Sequence, residues 1–161
     1  MPDVYLGLGS NLGDRQANIL EVVRRVGDLP GTRIVARSDL YETEPVGPIS
    51  QDWFVNAVLR IETGLDPHSL LRSVKSIEGA MGRLPAGRWG PRVVDVDILF
   101  YDDVELTDHE LTIPHPGLWD RRFVLVPLLD VLNDGALRDR VRRRLQEPFD
   151  PHGVRMLGDC L

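Results

Sequence analysis

With 161 residues, 42% of them hydrophobic, the chain has enough apolar material for one domain, 1–161, with a real core, and too little for a comfortable second. A formal charge of −6 argues against nucleic acid as the main partner, because that binding rests on neutralising backbone phosphates. No apolar run reaches membrane-spanning length, Met1-Pro2-Asp3 leads into a strand and not a signal peptide, and Cys160 alone excludes an internal disulfide framework. These features predict a soluble, cytoplasmic protein.

The apolar run 4–9 reads as a buried strand that breaks at Gly7-x-Gly9-Ser10-Asn11-Leu12-Gly13 into a glycine-containing turn. A phosphate-binding loop is the functional alternative, but the spacing fits neither G-x-x-x-x-G-K-[ST] nor G-x-G-x-x-G, and no lysine follows. Asp14 then caps a helix in which Ile19, Val22, Val23, Val26 and Leu29 recur at helical spacing, ended by Gly27 and Pro30-Gly31. The stretch 32–43 reads as a second strand, followed by a loop, 44–51, with two prolines and a glycine.

Over 54–62 the pattern alternates, so Val55, Ala57, Leu59 and Ile61 face the core while Phe54, Asn56, Val58, Arg60 and Glu62 face away. Phe54 and Asn56 thus share a face. An aromatic ring beside a carboxamide suits a flat heterocycle, stacked by the ring and read along its edge by the amide; the plainer reading is a surface Phe and a strand Asn. Asp66-Pro67 begins a second helix with the stripe Leu70, Leu71, Val74, Ile77 and Met81, stopped by Gly82. Glu78 sits beside that stripe near the helix C-terminus, where the dipole disfavours a carboxylate, which hints at a ligand role. The loop 83–89 carries arginines and leads into the next strand. Together with 44–52 it is placed to close over a site.

The strand 93–101 is the densest stretch chemically. Period-two alternation puts Asp95 and Asp97 on one face and Val94, Val96, Ile98 and Phe100 on the other. Alternate carboxylates are close enough to grip one hard cation or bridge two, and Arg88 and Arg92 stand at the strand's entrance. Acids that hold a metal beside arginines are what a polyphosphate needs. Against this stands an ordinary solvated strand face, since D-x-D is common by chance.

Beyond Tyr101, Asp102-Asp103 reads as a tight turn into Val104-Glu105-Leu106, a hairpin at the sheet edge. Pro114-His115-Pro116 holds a histidine in an extended loop, and Arg121-Arg122-Phe123 precedes an apolar stretch, 124–131. A short helix, 136–145, turns Leu137, Val141 and Leu145 inward and leaves its arginines in solvent. The tail from Pro148 shows no strong pattern.

Taken together, GLGSNLGDR, YETEPVG before WFVNAVLRIET, RWGPRVVDVDILFYDD, LTIPHP and RRFVLVPL resemble the 6-hydroxymethyl-7,8-dihydropterin pyrophosphokinase family of folate biosynthesis. That resemblance implies an α+β fold: a single-domain ferredoxin-like antiparallel sheet with helices packed on one face and additional strands or a hairpin. It implies ATP as co-substrate, two Mg²⁺ ions, a pterin alcohol as the other small-molecule substrate, no nucleic-acid or membrane partner, and a monomer. Asp95 and Asp97 match the metal ligands. Thr43, Val46, Phe54, Asn56, Trp89 and Phe123 match the pterin residues, with Trp89 also a lid residue. Glu78, Arg83, Arg88, Arg92, Ile98, Thr112, His115 and Arg121 match the ATP side, and Arg83, Arg88, Arg92, Asp95 and Asp97 would carry catalysis. Leu84-Pro85-Ala86-Gly87 makes the lid loop one residue shorter than in some members and lacks an arginine they carry, and Pro116 stands where some have Tyr. The rivals are a nucleotidyltransferase using the same acid pair and a noncatalytic ligand-sensing module.

Overall fold

The computed structural model describes residues 1–45, 47, 50–82 and 93–158. Along the chain come β1 (Asp3–Ser10), α1 (Arg15–Gly27), β2 (Thr32–Arg37), β3 (Leu40–Thr43), β4 (Phe54–Thr63), α2 (Pro67–Ala80), β5 (Asp95–Tyr101), β6 (Leu106–Thr107), β7 (Thr112–Ile113), α3 (Arg122–Leu129), α4 (Gly135–Leu145) and β8 (Val154–Gly158). The main sheet runs β5-β1-β4-β3-β8, with β2 also paired to β4, and its ladders are antiparallel. This is the split β-α-β order of a ferredoxin-like unit, extended by β8. Among the described residues no helix is long and apolar enough to cross a membrane.

The predicted core strands and helices form for the expected reasons. Asp14 caps α1 by accepting the Ala17 N–H at 3.1 Å. Val4, Leu6 and Leu8 of β1, the inward residues of β4, and the stripes of α1 and α2 make one continuous apolar cluster. Helices α1 and α2 therefore cover one sheet face, as expected. A second layer occupies part of the opposite face: Val124, Leu125 and Leu128 of α3 and Val141 of α4 pack on Tyr5, Val58 and Leu99. Most of the apolar stretch 124–131 is thus helical, with Pro127 inside the helix.

The structure departs from expectation in four places. The strand 32–43 is two strands, because the buried Ser38 turns aside between them: its N–H donates to the Val58 carbonyl and its hydroxyl accepts the Val58 N–H. In β5 the partners of Tyr5 and Leu6 are Phe100 and Ile98, so a bulge at Leu99 shifts the alternation. Phe100 therefore leaves the Val96 and Ile98 side and packs edge-on against Tyr5, with centroids 6.1 Å apart, while Tyr101 enters the larger core. The turn after Tyr101 does form, but Leu106–Thr107 pairs with Thr112–Ile113 in a separate two-stranded sheet and not with β5. Finally, the patternless tail contains β8, which pairs with β3.

Candidate active site

On the face opposite α1 and α2 the two small helices stop short, leaving a cavity of about 580 Å³. Its floor is β1 and β4, contributing Gly7, Gly9, Phe54 and Asn56; β5 adds Asp95 and Asp97, β3 ends in Thr43 with Glu44 just beyond it, and Arg121 and Phe123 come from the start of α3. Of the glycines that suggested a phosphate loop, Gly7 and Gly9 lie inside strand β1, and Gly13 follows it with a positive φ of 72°. A Cβ on Gly9 would sit 2.8 Å from Asn56 Oδ1, so the missing side chain is what lets Asn56 lie flat on the floor. The Asn56 amide in turn donates to Thr43 Oγ1, and both residues are buried.

Asp95 and Asp97 point together into the cavity as their spacing predicted, with the Asp97 side chain 45% exposed. His115 Nε2 stands 4.0 Å from Asp97 Oδ2. Its Nδ1 accepts the Gly117 N–H, so the ring hydrogen is on Nε2, facing the carboxylate. Burial pushes the His115 pKa below its usual value; the Asp97 charge opposes that and the Arg121 charge adds to it. Gly117 also makes room for Arg121, since a Cβ there would lie 2.7 Å from its Nε. The Arg121 guanidinium lies 5.8 Å from the centre of the Phe123 ring.

The acid pair fits Mg²⁺. Among the described residues no group of three or more His, Cys, Asp or Glu could enclose a metal, and a cation held by the two carboxylates alone would keep its other positions open. Mg²⁺ is held in this way, by one or two carboxylates, water and phosphate oxygens, where Ca²⁺ and Zn²⁺ take fuller protein cages.

Other ATP-side candidates are placed less directly. Ile98 is buried in the core, so what it can offer a nucleotide is its backbone on the sheet's edge strand. Thr112 lies in the short β7 beside that edge. Glu78 is 1% exposed on α2, away from the cavity; Oε2 accepts the Val96 N–H at 2.8 Å and Oε1 lies 3.1 Å from Lys75 Nζ. Val46, Trp89, Arg83, Arg88 and Arg92, and with them the lid loop 83–89, fall outside the described residues.

Sequence reasoning missed one wall. Phe149, Asp150, Pro151 and His152 also line the cavity, brought there by α4 and β8. They come from the stretch in which no periodicity is visible.

The fold is α+β, a ferredoxin-like sheet whose edge strand brings paired acids to a cavity that phenylalanine rings also line. The particular family follows from comparison. Residues 5–133 match the 7,8-dihydro-6-hydroxymethylpterin-pyrophosphokinase (HPPK) family, and the chain belongs to it. It is 44% identical over 154 residues, 96% of this chain and 98% of the relative, to a 2-amino-4-hydroxy-6-hydroxymethyldihydropteridine pyrophosphokinase of Methylorubrum extorquens. It is 41% identical to a bifunctional protein FolKE of Lactococcus lactis, covering 83% of this chain but 38% of that protein. A wild-type HPPK-DHPS crystal structure from Plasmodium falciparum, with SDX-DHP, superposes with a TM-score of 0.62 at 19% identity, over 92% of this chain and 45% of that one. The chain thus spans less than half the length of the latter two, and the structural likeness concerns the fold.

Proposed function

We propose that this chain transfers the pyrophosphoryl group of ATP to the hydroxymethyl oxygen of 6-hydroxymethyl-7,8-dihydropterin, a step of folate synthesis. One cavity holds both halves of that chemistry, and this shared space supports the reading: Phe54, Asn56, Thr43 and Phe123 for a flat heterocycle, Asp95 and Asp97 for a metal-bound polyphosphate.

The pterin stacks between the rings of Phe54 and Phe123, and Asn56 and Thr43 hydrogen-bond its edge. The alcohol oxygen forms a bond to the β-phosphorus and gives up its proton to solvent, while the bond from that phosphorus to the α,β-bridging oxygen breaks and AMP leaves with that oxygen. Asp95 and Asp97 would hold Mg²⁺, as a pair of ions, which would neutralise the phosphate oxygens. Arg121 takes up charge from the side of α3, and Arg83, Arg88 and Arg92 are assigned the same task. His115 Nε2 carries a hydrogen and serves as a donor beside Asp97, not as the base for the alcohol. Trp89 and Val46 are assigned to close the pterin pocket. The reaction partners are small molecules, and we expect a cytoplasmic monomer that binds no nucleic acid.

Incubating the purified chain with ATP, Mg²⁺ and the pterin alcohol should yield AMP and the pterin diphosphate. Release of inorganic pyrophosphate in place of AMP would mean nucleotidyl transfer, and tight binding of both ligands without turnover would mean a sensing module.

A further inference from the structure

The arm 149–153 lies past the stretch 5–133 that carries the family match, yet it forms a side of the cavity. It is tied to both neighbouring walls. Towards α3, Asp150 Oδ2 accepts the Arg122 N–H at 2.9 Å, and Arg122 Nε donates back to the Asp150 carbonyl at 3.2 Å. Helix α3 has no side-chain cap of its own at Arg121, so Asp150 satisfies an otherwise orphaned first-turn N–H from across the chain, one residue before Phe123. Phe149 is held between guanidinium groups, 4.8 Å from Arg122 and 3.9 Å from Arg144. Towards β3, Glu44 and Gly153 exchange two hydrogen bonds: Glu44 N–H to the Gly153 carbonyl at 3.0 Å, and Gly153 N–H to Glu44 Oε1 at 2.7 Å. Glu44 directly follows Thr43. The arm is therefore a strap between the wall that carries Phe123 and the wall that carries Thr43.

At the middle of the strap is a histidine with one nitrogen already assigned. Asp150 Oδ1 accepts both the His152 N–H at 3.0 Å and the ring Nδ1 at 2.6 Å. An ionised carboxylate only accepts, so the ring hydrogen is on Nδ1 and Nε2 is left as the ring's acceptor in the neutral form. Asp150 is nearly buried, with 7% of its side chain exposed, whereas His152, at 31%, remains accessible from the cavity.

We propose that this arm is part of the pterin site: His152 contacts the heterocycle as a hydrogen-bonding residue, and Asp150 is the positioning residue that fixes both the His152 ring and the start of α3 beneath Phe123. This rests on the pyrophosphokinase reading and goes beyond it by adding a determinant of pterin affinity outside the matched segment. The paired acids of the phosphate end stand on β5 and not on the arm, so loss of the His152 ring should affect pterin far more than ATP.

The test uses the full chain, with pterin binding measured by calorimetry in the presence of Mg²⁺ and a nonhydrolysable ATP analogue, together with steady-state kinetics. His152→Ala should weaken pterin binding by about tenfold, the size expected for one lost hydrogen bond to a ligand, with the ATP KM and kcat nearly unchanged. Asp150→Ala should weaken pterin binding by a similar factor and more than it weakens ATP binding, and Asp150→Asn, which still accepts the Arg122 N–H, should recover part of the loss. Pterin affinity unchanged in His152→Ala overturns the contact. Equal losses for ATP and pterin in Asp150→Ala, with no rescue by Asn, overturn the positioning role and leave the arm a general stabiliser. Failure of the wild-type chain to produce AMP removes the parent reading instead, and is told apart because it occurs before any substitution is made.

Discussion

The two faces of the sheet are built from the same strands but do opposite things. Towards α1 and α2, β1, β4 and β5 present Val4, Leu6, Leu8, Val55, Leu59, Ile61, Val96 and Ile98, all buried and aliphatic. At the alternate positions of these strands stand Gly7, Gly9, Phe54, Asn56, Asp95 and Asp97, which are small, aromatic or polar and line a cavity. Period-two geometry lets each strand serve cohesion on one side and chemistry on the other. A residue's face, more than its place in the chain, should then decide whether its loss costs stability or turnover.

The largest effect is expected on the cavity face. Asp95→Ala or Asp97→Ala should lower Mg²⁺-dependent AMP formation by about a thousandfold or more, the scale of losing a preorganised charge partner for phosphate. Circular dichroism and the thermal midpoint should be little changed, because the acids make no part of the apolar cluster. Near wild-type turnover in either variant would break the metal assignment. The mirror experiment is Leu59→Ala on the other face. A fully buried leucine removed from a packed core should cost about 2 to 5 kcal/mol in urea unfolding, while kcat per folded molecule stays close to wild type. A large fall in kcat with stability retained would mean that the two faces are not separable.

Smaller effects are expected at the aromatic walls. Phe54→Ala and Phe123→Ala should each weaken pterin binding by about 1 to 3 kcal/mol and leave ATP binding nearly intact. Calorimetry showing equal losses for both ligands would mean that these rings hold the cavity open and do not stack on the heterocycle.

The legibility of the molecule follows from the range of the interactions involved. Alternation in 54–62 and 93–97 is local, so the order of residues alone places Phe54 with Asn56, and Asp95 with Asp97, on shared faces. The helix stripes of α1 and α2 are readable for the same reason. The bulge at Leu99 is not, because it is set by the register against Tyr5 and Leu6, far away in the chain. Nor is the C-terminal wall. Its ties join residues 28 apart at Arg122 and Asp150 and 109 apart at Glu44 and Gly153, each pairing a backbone N–H with a carboxylate far away in the chain, which no local pattern reveals. The short β6–β7 pair escapes prediction because a turn sequence specifies a reversal but not which strand receives it.

Glu78 crosses the division between the two faces, and it should give the smallest effect and the sharpest discrimination. It is a buried carboxylate on the aliphatic side, yet it accepts the N–H of Val96, the residue between the two acids, and so ties α2 to the strand that carries them. The family resemblance implies an ATP contact instead. Glutamine separates these roles, because its side-chain oxygen still accepts the Val96 N–H while the negative charge beside Lys75 is lost. If Glu78 serves as a tether, Glu78→Gln should keep kcat and the ATP KM within about threefold of wild type, under 1 kcal/mol, whereas Glu78→Leu, with the N–H unpaired in a buried site, should lower both stability and kcat. If the carboxylate instead binds nucleotide, Glu78→Gln should raise the ATP KM by more than that while the urea midpoint stays fixed. Measuring the ATP KM and the urea midpoint on the same two variants decides whether this residue belongs to the core or to the site.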